Sequence, residues 1–121
     1  MNVCITAQGK DLDCMVDPRF GRCQYFIIAD TDSLEFEVVV NPNMDTTGGA
    51  GIQSGQLMAE KQVKAVLTGN VGPNAFQTLK AAGIEIITGV SGNIKEAIEK
   101  YKNNGFKITD SPSVDSHFGT K

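Results

Sequence analysis

Hydrophobic and polar positions alternate at the start of the chain. In "NVCITA" the side chains of Val3, Ile5 and Ala7 share one face, and this period of two predicts a β-strand. Residues 23–30 ("CQYFIIAD") and 34–41 ("LEFEVVVN") are dense in β-branched and aromatic residues, which predicts two more strands. Because only a short turn separates them, these two strands are predicted to form an antiparallel hairpin.

After the hairpin, helical patterns alternate with strand patterns. Helices are predicted over about residues 52–61, 70–83 and 91–105, with strands over 64–69 and 84–89. Pro73 suits the first turn of the second helix and Gly83 its end. Asn93 suits the cap of the third helix, with Glu96 three residues later as in a capping box. The apolar stripe of that helix comprises Ile94, Ala97, Ile98 and Tyr101.

The element order β-β-β-α-β-α-β-α predicts a mixed α/β sheet with a parallel portion that carries helices and an antiparallel hairpin at one side. One domain is expected over residues 1–106. Residues 107–121 are predicted to be a polar, flexible tail that adds a short strand at most and is loose from Ser111. The long polar connection over residues 8–22 is unusual for a compact domain, and such loops are often functional.

Composition and charge exclude several classes of protein. The chain has 121 residues, of which 40% are hydrophobic, enough for one core. It contains no apolar run of about 18 residues, which argues against a membrane span, and its first residues lack the layout of a secretory signal. We therefore expect a cytoplasmic protein without membrane partners. A net charge of −3 argues against non-specific binding of nucleic acid.

The chain has three cysteines, Cys4, Cys14 and Cys23, and a single histidine, His117. An odd number of cysteines without an export signal favours reduced thiols. No C-x-x-C pair exists, so the ligand spacing typical of a structural zinc site is missing. His117 lies in the polar tail, which disfavours a Ser–His or Cys–His catalytic pair.

Three glycine-rich turns stand directly before the predicted helices: "TTGGAG", "TGNVGPNA" and "TGVSGN". Unpaired N–H groups at helix N-termini suit anions, and glycines let the backbone approach a ligand closely. Ordinary turn chemistry explains any one of these glycine turns equally well. None matches a phosphate-binding loop or G-x-G-x-x-G after a strand, so a nucleotide is not expected.

Two arginines flank Phe20 and Gly21 in "DPRFGRCQYF". Arg19 and Arg22 are interpreted either as one wall of an anion pocket or as surface ion-pair partners of nearby aspartates. The aspartates themselves could hold a metal or simply form a solvated acidic loop. They are Asp11, Asp13 and Asp17.

Each cysteine has a functional and a structural interpretation. Cys23, beside Arg22, is either a soft metal ligand or a small buried residue at the start of a strand. Cys14 is expected to be the most exposed thiol. Cys4 has the opposite parity to Val3 in the first strand, which predicts a core position on the other face of the sheet.

Several motifs together resemble one known family. "GKDLD", "DPRFGRCQYFIIAD", "VVVNPN", "GGAGIQSGQLMAEKQVKAVLTGNVGPNAFQTLKAAGIEI" and "SGNIKEAIEKY" are similar, in this order, to the dinitrogenase iron–molybdenum cofactor-binding domain family. That family includes nitrogen-fixation accessory proteins of the NifX type, the C-terminal part of NifB, the molybdenum–copper orange protein and small standalone members. The resemblance covers about residues 1–105.

The resemblance implies a ribonuclease-H-like fold with a five-stranded mixed sheet, an antiparallel hairpin and three helices packed on its faces. It also implies non-catalytic binding, carriage or storage of an anionic metal–sulfur cluster that contains molybdenum or iron, with or without copper. The residues expected to bind the cluster are Arg19, Gly21, Arg22, Asn41, Gly48, Gly49, Ala50, Gly51, Gly69, Asn70, Gly72, Pro73 and Asn74. Phe20, Met44 and Ile52 are expected to add apolar contact, and Cys14 and Cys23 are candidate metal ligands.

Two other functions stay open on the sequence alone. One is a protein-interaction or regulatory module that binds no cluster. The other is a magnesium-dependent nuclease or phosphotransferase, although the first strand carries Cys4 and Thr6 and no acid for a metal. A cluster donor or acceptor protein is an expected partner, and the chain is expected to be a monomer or a weak homodimer.

Overall fold

A computed structural model describes residues 1–42 and 49–112, and within these ranges five strands and three helices form. The strands are β1 (Asn2–Ala7), β2 (Tyr25–Asp30), β3 (Phe36–Val40), β4 (Ala65–Leu67) and β5 (Glu85–Ile87). The helices are α1 (Ala50–Glu60), α2 (Pro73–Ala81) and α3 (Ile94–Lys102). This order is the one predicted from the sequence. None of the helices described is long and apolar enough to cross a bilayer.

The strands form one mixed sheet in the order β3-β2-β1-β4-β5. β2 pairs antiparallel with both β1 and β3, so the predicted hairpin lies at one side of the sheet. β4 lies parallel to β1 and to β5. The predicted five-stranded mixed sheet with an antiparallel hairpin and three helices is therefore confirmed.

The two faces of the sheet carry separate hydrophobic cores. α1 and α2 cover one face through Met58, Phe76 and Leu79, and this core includes Cys4 from β1. α3 covers the other face through its buried apolar stripe, and this core includes Val3. The alternation read from "NVCITA" thus assigns Cys4 and Val3 to the correct faces.

Most elements are shorter by a few residues than predicted, and the starts of α1 and β2 differ for identifiable reasons. α1 begins at Ala50, two residues before the predicted start. Its N-cap Gly49 has a left-handed conformation (φ 74°) that glycine adopts readily, and Gly51 in the first turn packs directly against Ala75 of α2. β2 begins at Tyr25 and not at Cys23, because Cys23 belongs to the buried end of the preceding loop.

The predicted cap of α3 is confirmed: the Asn93 side chain accepts hydrogen bonds from the N–H groups of Lys95 and Glu96. No strand follows α3 in the described residues. Instead, the Thr109 N–H donates to the Ile86 carbonyl (2.7 Å), so the chain runs along the outer edge of β5. The loose tail predicted from Ser111 lies, from residue 113 onward, outside the described residues.

Candidate anion-binding site

Four strands end at the same edge of the sheet. β1, β4 and β5 are parallel, and β3 has the same direction because β2 is antiparallel to both β1 and β3. The loops that follow these strands, and the N-termini of the three helices, therefore gather at one edge. In open α/β sheets this carboxyl edge is the usual place for ligands.

The loop after β1 is anchored at its far end by Asp17. The Asp17 N–H donates to the Thr6 carbonyl (2.8 Å), and the Thr6 hydroxyl donates to the Asp17 carbonyl (2.6 Å). The Oγ1 atoms of Thr6 and Thr68 lie 2.7 Å apart and form a hydrogen bond that joins the carboxyl ends of β1 and β4 next to Asp17. All three residues are buried. The segment that follows Asp17 therefore starts from a fixed position.

That segment packs against the loop between β4 and α2. The Phe20 N–H donates to the Asn70 carbonyl (3.2 Å), and the Asn70 amide donates to the Pro18 carbonyl (3.3 Å). A Cβ on Gly69 would lie 2.6 Å from Pro18 Cα, so only glycine permits this approach of the two backbones. The backbone of Arg19 is held beside Asn70, with which it forms an isolated parallel bridge.

The same segment also contacts the first turn of α1. Gly21 has φ +91°, and a Cβ there would lie 3.4 Å from Gly51 Cα. The Asn41 side-chain amide donates to the carbonyls of Gly21 (3.0 Å) and Cys23 (2.8 Å). These two bonds use both hydrogens of the Asn41 side-chain amide. Asn41 therefore fixes the loop, and its amide donors are not available to a ligand in this conformation.

The N-termini of α1 and α2 lie side by side. A Cβ on Gly51 would lie 3.1 Å from the Cβ of Ala75, which stands in the first turn of α2. The N-caps are Gly49 and Gly72, neither helix has a side-chain cap, and neither first turn contains an acidic residue. The first-turn N–H groups, which have no partner within the helix, therefore carry partial positive charge that no acid within either first turn compensates.

The N-terminus of α3 is different, although its glycine turn resembles the other two in sequence. The Ile94 N–H donates to the Cys14 carbonyl (3.0 Å), and the Lys95 N–H donates to the Leu12 carbonyl (3.0 Å). The Asn93 side chain accepts hydrogen bonds from the Lys95 and Glu96 N–H groups, and the acid Glu96 compensates the partial positive charge of this first turn. The expectation that all three glycine turns suit an anion is therefore wrong for "TGVSGN".

Arg19 takes part in a turn with Asp17. Its N–H donates to Asp17 Oδ1 (3.0 Å), and its Nε lies 3.8 Å from the same oxygen. The Arg19 side chain is 41% exposed, whereas that of Asp17 is 10% exposed. Arg22 is half-buried and follows Gly21, which contacts α1. Both arginine backbones thus lie next to the two open helix N-termini.

The three cysteines are free thiols in different environments. Cys4 and Cys23 are fully buried in the core under α1 and α2, and burial raises the pKa of both thiols. The Asp17 carboxylate raises the pKa of Cys23 further. Cys14 is half-buried and packs against the core on the opposite face, with its Sγ 2.9 Å from the Asp11 carbonyl oxygen. The two candidate metal ligands, Cys14 and Cys23, are thus on different faces of the sheet.

The described residues contain no group of three or more His, Cys, Asp or Glu side chains that could hold a metal ion.

Phe20, expected to offer apolar contact to a ligand, is buried and packs against Phe26 with ring centroids 5.7 Å apart. Ile52 is 40% exposed near the start of α1, as its expected role requires. Met44, Gly48 and His117 lie outside the described residues.

The structure thus brings together the two arginines and the glycine turns before α1 and α2. Sequence reasoning missed the supports beneath them, which are Thr6, Thr68, Asp17 and Pro18. A signal existed for the threonines, since each is a polar residue that directly follows apolar residues: Thr6 is next to last in β1, and Thr68 comes directly after β4. Nothing in the sequence indicated that Asp17 and not Asp11 or Asp13 would be the buried acid.

Comparison with known proteins gives consistent matches. The model of the family described as "Dinitrogenase iron-molybdenum cofactor" matches residues 1–104. An uncharacterised protein of Methanocaldococcus jannaschii is 30% identical over 89 residues, which cover 71% of this chain and 75% of the relative.

Two solved structures share the fold over nearly the whole chain. The apo form of the orange protein from Desulfovibrio gigas superposes with a TM-score of 0.90 and 35% identity, covering 93% of this chain and 96% of that one. A Thermotoga protein provisionally described as a NifB protein superposes with a TM-score of 0.78 and 39% identity, covering 93% and 98% of the two chains.

Proposed function

Because the chain belongs to the dinitrogenase iron–molybdenum cofactor family, we propose that it binds an anionic metal–sulfur cluster and carries or stores it without catalysing a reaction. The cluster is cargo, of a type that contains molybdenum or iron, with or without copper. It would be received from, or passed to, a donor or acceptor protein in the cytoplasm.

One observation carries this proposal: two helices present adjacent N-termini whose N-caps are glycines without a capping side chain, and an arginine-bearing loop packs against both. The backbone N–H groups of residues 50–52 and 74–75 are donors of fixed direction. Sulfide edges of a cluster accept such bonds, and the partial charges at both helix ends attract its negative charge. A non-covalent site for an anion needs these features and no side-chain ligand.

The charges at the site favour an anion. Within the described segment 17–22, Arg19 and Arg22 contribute two positive charges and Asp17 one negative charge, and the carboxylate already has Arg19 as its partner. The partly exposed guanidinium group of Arg19 can bind the rim of an anion through charge-assisted hydrogen bonds, and the half-buried Arg22 adds positive charge nearby. The first turns of α1 and α2 add no acid that would repel it. Of the remaining expected contacts, Gly69, Asn70 and Gly72 lie in the loop that packs on the arginine segment, and Pro73 and Asn74 are the first two residues of α2.

Direct ligation by Cys14 or Cys23 stays a prediction. The burial of Cys23 keeps its thiol protonated, whereas a metal ligand must be a thiolate. Cys14 packs against the other face of the sheet. These environments favour binding through N–H groups and arginines over covalent attachment.

The ribonuclease-H-like fold stays a prediction implied by the family resemblance, and a hairpin at one side of the sheet with helices on both faces is compatible with it. A nuclease on such a fold needs several carboxylates around magnesium. Among the described residues Asp17 is the one buried carboxylate, and its Oδ1 already accepts the Arg19 N–H. No observation therefore favours the enzyme over the carrier.

Optical titration tests the proposal. The apo-protein is titrated anaerobically with tetrathiomolybdate plus Cu(I), and we expect a saturable charge-transfer band. Arg19→Ala and Arg22→Ala should each weaken binding by about tenfold, the effect of one charge-assisted hydrogen bond. Arg19→Lys and Arg22→Lys keep the charge and should lose less.

Asn93→Ala is the matched control, because it removes the cap of α3 and destabilises the fold without touching α1 or α2. It should bind like the wild type at a temperature where both are folded. Absence of a band with both this cargo and an iron–sulfur source would contradict the carrier function. Unchanged binding by both alanine variants would remove the arginines from the site.

A further inference from the structure

The outer edge of β3 carries unpaired backbone groups. In the β2–β3 ladder the Asn41 N–H donates to Gln24, and the Asp30 N–H donates to Glu35. Since hydrogen-bonded pairs alternate along an antiparallel ladder, the odd-numbered residues of β3 bond to β2. The N–H and C=O groups of Phe36, Val38 and Val40 therefore point away from the sheet.

The side chains of these same residues form an exposed apolar stripe on one face. Phe36 is 42% exposed and Val40 is 63% exposed, while Val38 between them is half-buried. No residue in the ranges 1–42 and 49–112 hydrogen-bonds to the outer edge of β3. By contrast, the edge at β5 is covered, because the Thr109 N–H bonds to Ile86. An uncovered apolar edge strand is a template for pairing with another strand.

We propose that this edge pairs with β3 of a second copy of the chain, in antiparallel register centred on Val38. In that register Val38 faces its own counterpart and Phe36 faces Val40 of the second copy. All three outward-pointing residues then form hydrogen-bonded pairs, and their side chains pack together on one face. The strand is thus complementary to itself about a two-fold axis, which is the requirement of a symmetric dimer.

The charged residue on β3 selects this register. Centring on Val38 places Glu37 opposite Val39, so no like charges meet. A shift of two residues in one direction would place Glu37 directly opposite its own counterpart, which is destabilising. Glu37 points to the other face, where its Oε1 pairs with Lys61 Nζ at 2.8 Å. The stripe of Phe36, Val38 and Val40 therefore carries no charge.

This dimer leaves the anion site accessible. The two β3 strands run in opposite directions, so the carboxyl edges of the two sheets lie at opposite ends of the joined sheet. Each copy keeps its own loops and helix N-termini. The inference therefore stands independently of the proposed function, and a failure of cluster binding does not affect it.

A mixed cross-linking experiment tests the register. Glu37→Cys and Val39→Cys are made separately in a Cys14→Ser chain, then mixed and oxidised. Opposite residues of a non-hydrogen-bonded antiparallel pair have Cα atoms about 4.5 Å apart, within reach of a disulfide. We expect a disulfide dimer of one chain of each kind, identified by mass spectrometry. Val39→Cys alone should give much less dimer, because identical positions are offset along the strands. Glu37→Cys alone does not report on the register, because it removes the charge that disfavours pairing of position 37 with itself.

Sedimentation of the unmodified chain gives the second readout. A single short strand pair is a weak interface, so the mean mass should rise over about 10 μM to 1 mM. Val40→Lys places a charge against Phe36 of the second copy and should weaken association by about tenfold. A monomer at all concentrations overturns the proposal. So does a dimer that Val40→Lys leaves intact, or cross-linking without preference for the mixture over Val39→Cys alone.

Discussion

Asp17 is a buried acid beside a site proposed for an anion, and its position is explained by the turn that it makes. Its Oδ1 accepts the Arg19 N–H and lies 3.8 Å from Arg19 Nε, while its backbone bonds to Thr6. The carboxylate thus fixes the arginine segment and at the same time reduces the positive charge there. Geometry and charge act in opposite directions at this residue.

Asp17→Asn separates the two effects. The amide oxygen can still accept the Arg19 N–H, but the negative charge is gone and Arg19 loses its charged partner. We expect affinity for the anionic cargo to rise by about threefold to tenfold, because one unit of repulsion is removed from a partly screened site. Asp17→Ala, which also removes the acceptor, should lower both stability and affinity. Weaker binding by Asp17→Asn would contradict this account of Asp17.

The thiols should differ in reactivity. Cys4 and Cys23 are fully buried and their pKa values are raised, whereas Cys14 is half-buried. Since the thiolate is the reactive form, we expect an aromatic disulfide reagent to modify one thiol per native chain, at Cys14. Modification of the other two should require unfolding. Rapid native reaction of Cys23, mapped by peptide mass spectrometry, would show that the loop above it opens.

Asp30 gives a pH-dependent contribution to stability. The N–H groups of Ser33 and Asp32 and the N-terminal ammonium group lower the pKa of Asp30 from 3.8 to about 2. Because the folded-state pKa is depressed, this stabilisation is present above about pH 4 and is lost as the pH falls to about 2. Asp30→Asn should flatten the unfolding free energy over that window, measured by urea denaturation. An unchanged slope would contradict the assignment.

For individual residues, the alternation of side chains along β1 predicted that Cys4 is buried on the opposite face of the sheet from Val3. They left Cys23 open between a ligand and a core residue, and the structure shows it in the core. The hydroxyl contact between Thr6 and Thr68 joins residues 62 positions apart, which no local pattern can indicate.

Among the elements, the contact between α1 and α2 positions the candidate site. Gly55 stands one turn after Gly51 on the same side of α1, and a Cβ on Gly55 would lie 2.6 Å from Thr78 Cγ2. Small residues thus let the two helices approach closely, and this approach brings their N-termini together. The packing of a helix pair therefore sets the distance between two groups of N–H donors.

Gly55→Ala tests this packing. Alanine improves helix propensity by up to about 1 kcal/mol, but the clash with Thr78 is expected to cost about 1–3 kcal/mol, a net loss of stability. Thr78→Ser removes the closest methyl group and keeps the hydroxyl that donates to the Asn74 carbonyl, so it should restore part of the loss. Gln56→Ala, at an exposed position of α1, is the control. Thermal unfolding that Gly55→Ala leaves unchanged would mean that the helices separate freely.

Element types and order followed from periodicity, whereas the start of α1 did not. "GGAG" has the composition of a loop, and a helix that begins inside it is stabilised by contacts with α2 that lie far away in sequence. The N-cap of α3 was predicted because Asn93 and Glu96 form a local signal. Local rules succeeded at α3, where Asn93 is the cap, and at α2, where Pro73 stands in the first turn, and they failed at the start of α1.

For the whole molecule, the main asymmetry is between two open helix N-termini and one closed one. Their glycine turns look alike in sequence. The difference arises because the loop after β1 places the carbonyls of Leu12 and Cys14 against α3, while its later part reaches α1 and the β4–α2 loop. The loop after β1 thus occupies the N–H groups at the start of α3 with its first part, and its later part packs beside the starts of α1 and α2.

Amide-resolved NMR during titration with tetrathiomolybdate and Cu(I) tests the central claim most directly. We predict saturable shifts at the N–H groups of residues 49–52, 69–72 and 74–75, together with Arg19 and Arg22. The amides of Lys95 and Glu96, already bonded to the Asn93 side chain, should not move. Shifts confined to α3 or spread evenly over the chain, or none at all at saturating cargo, would contradict the proposed site.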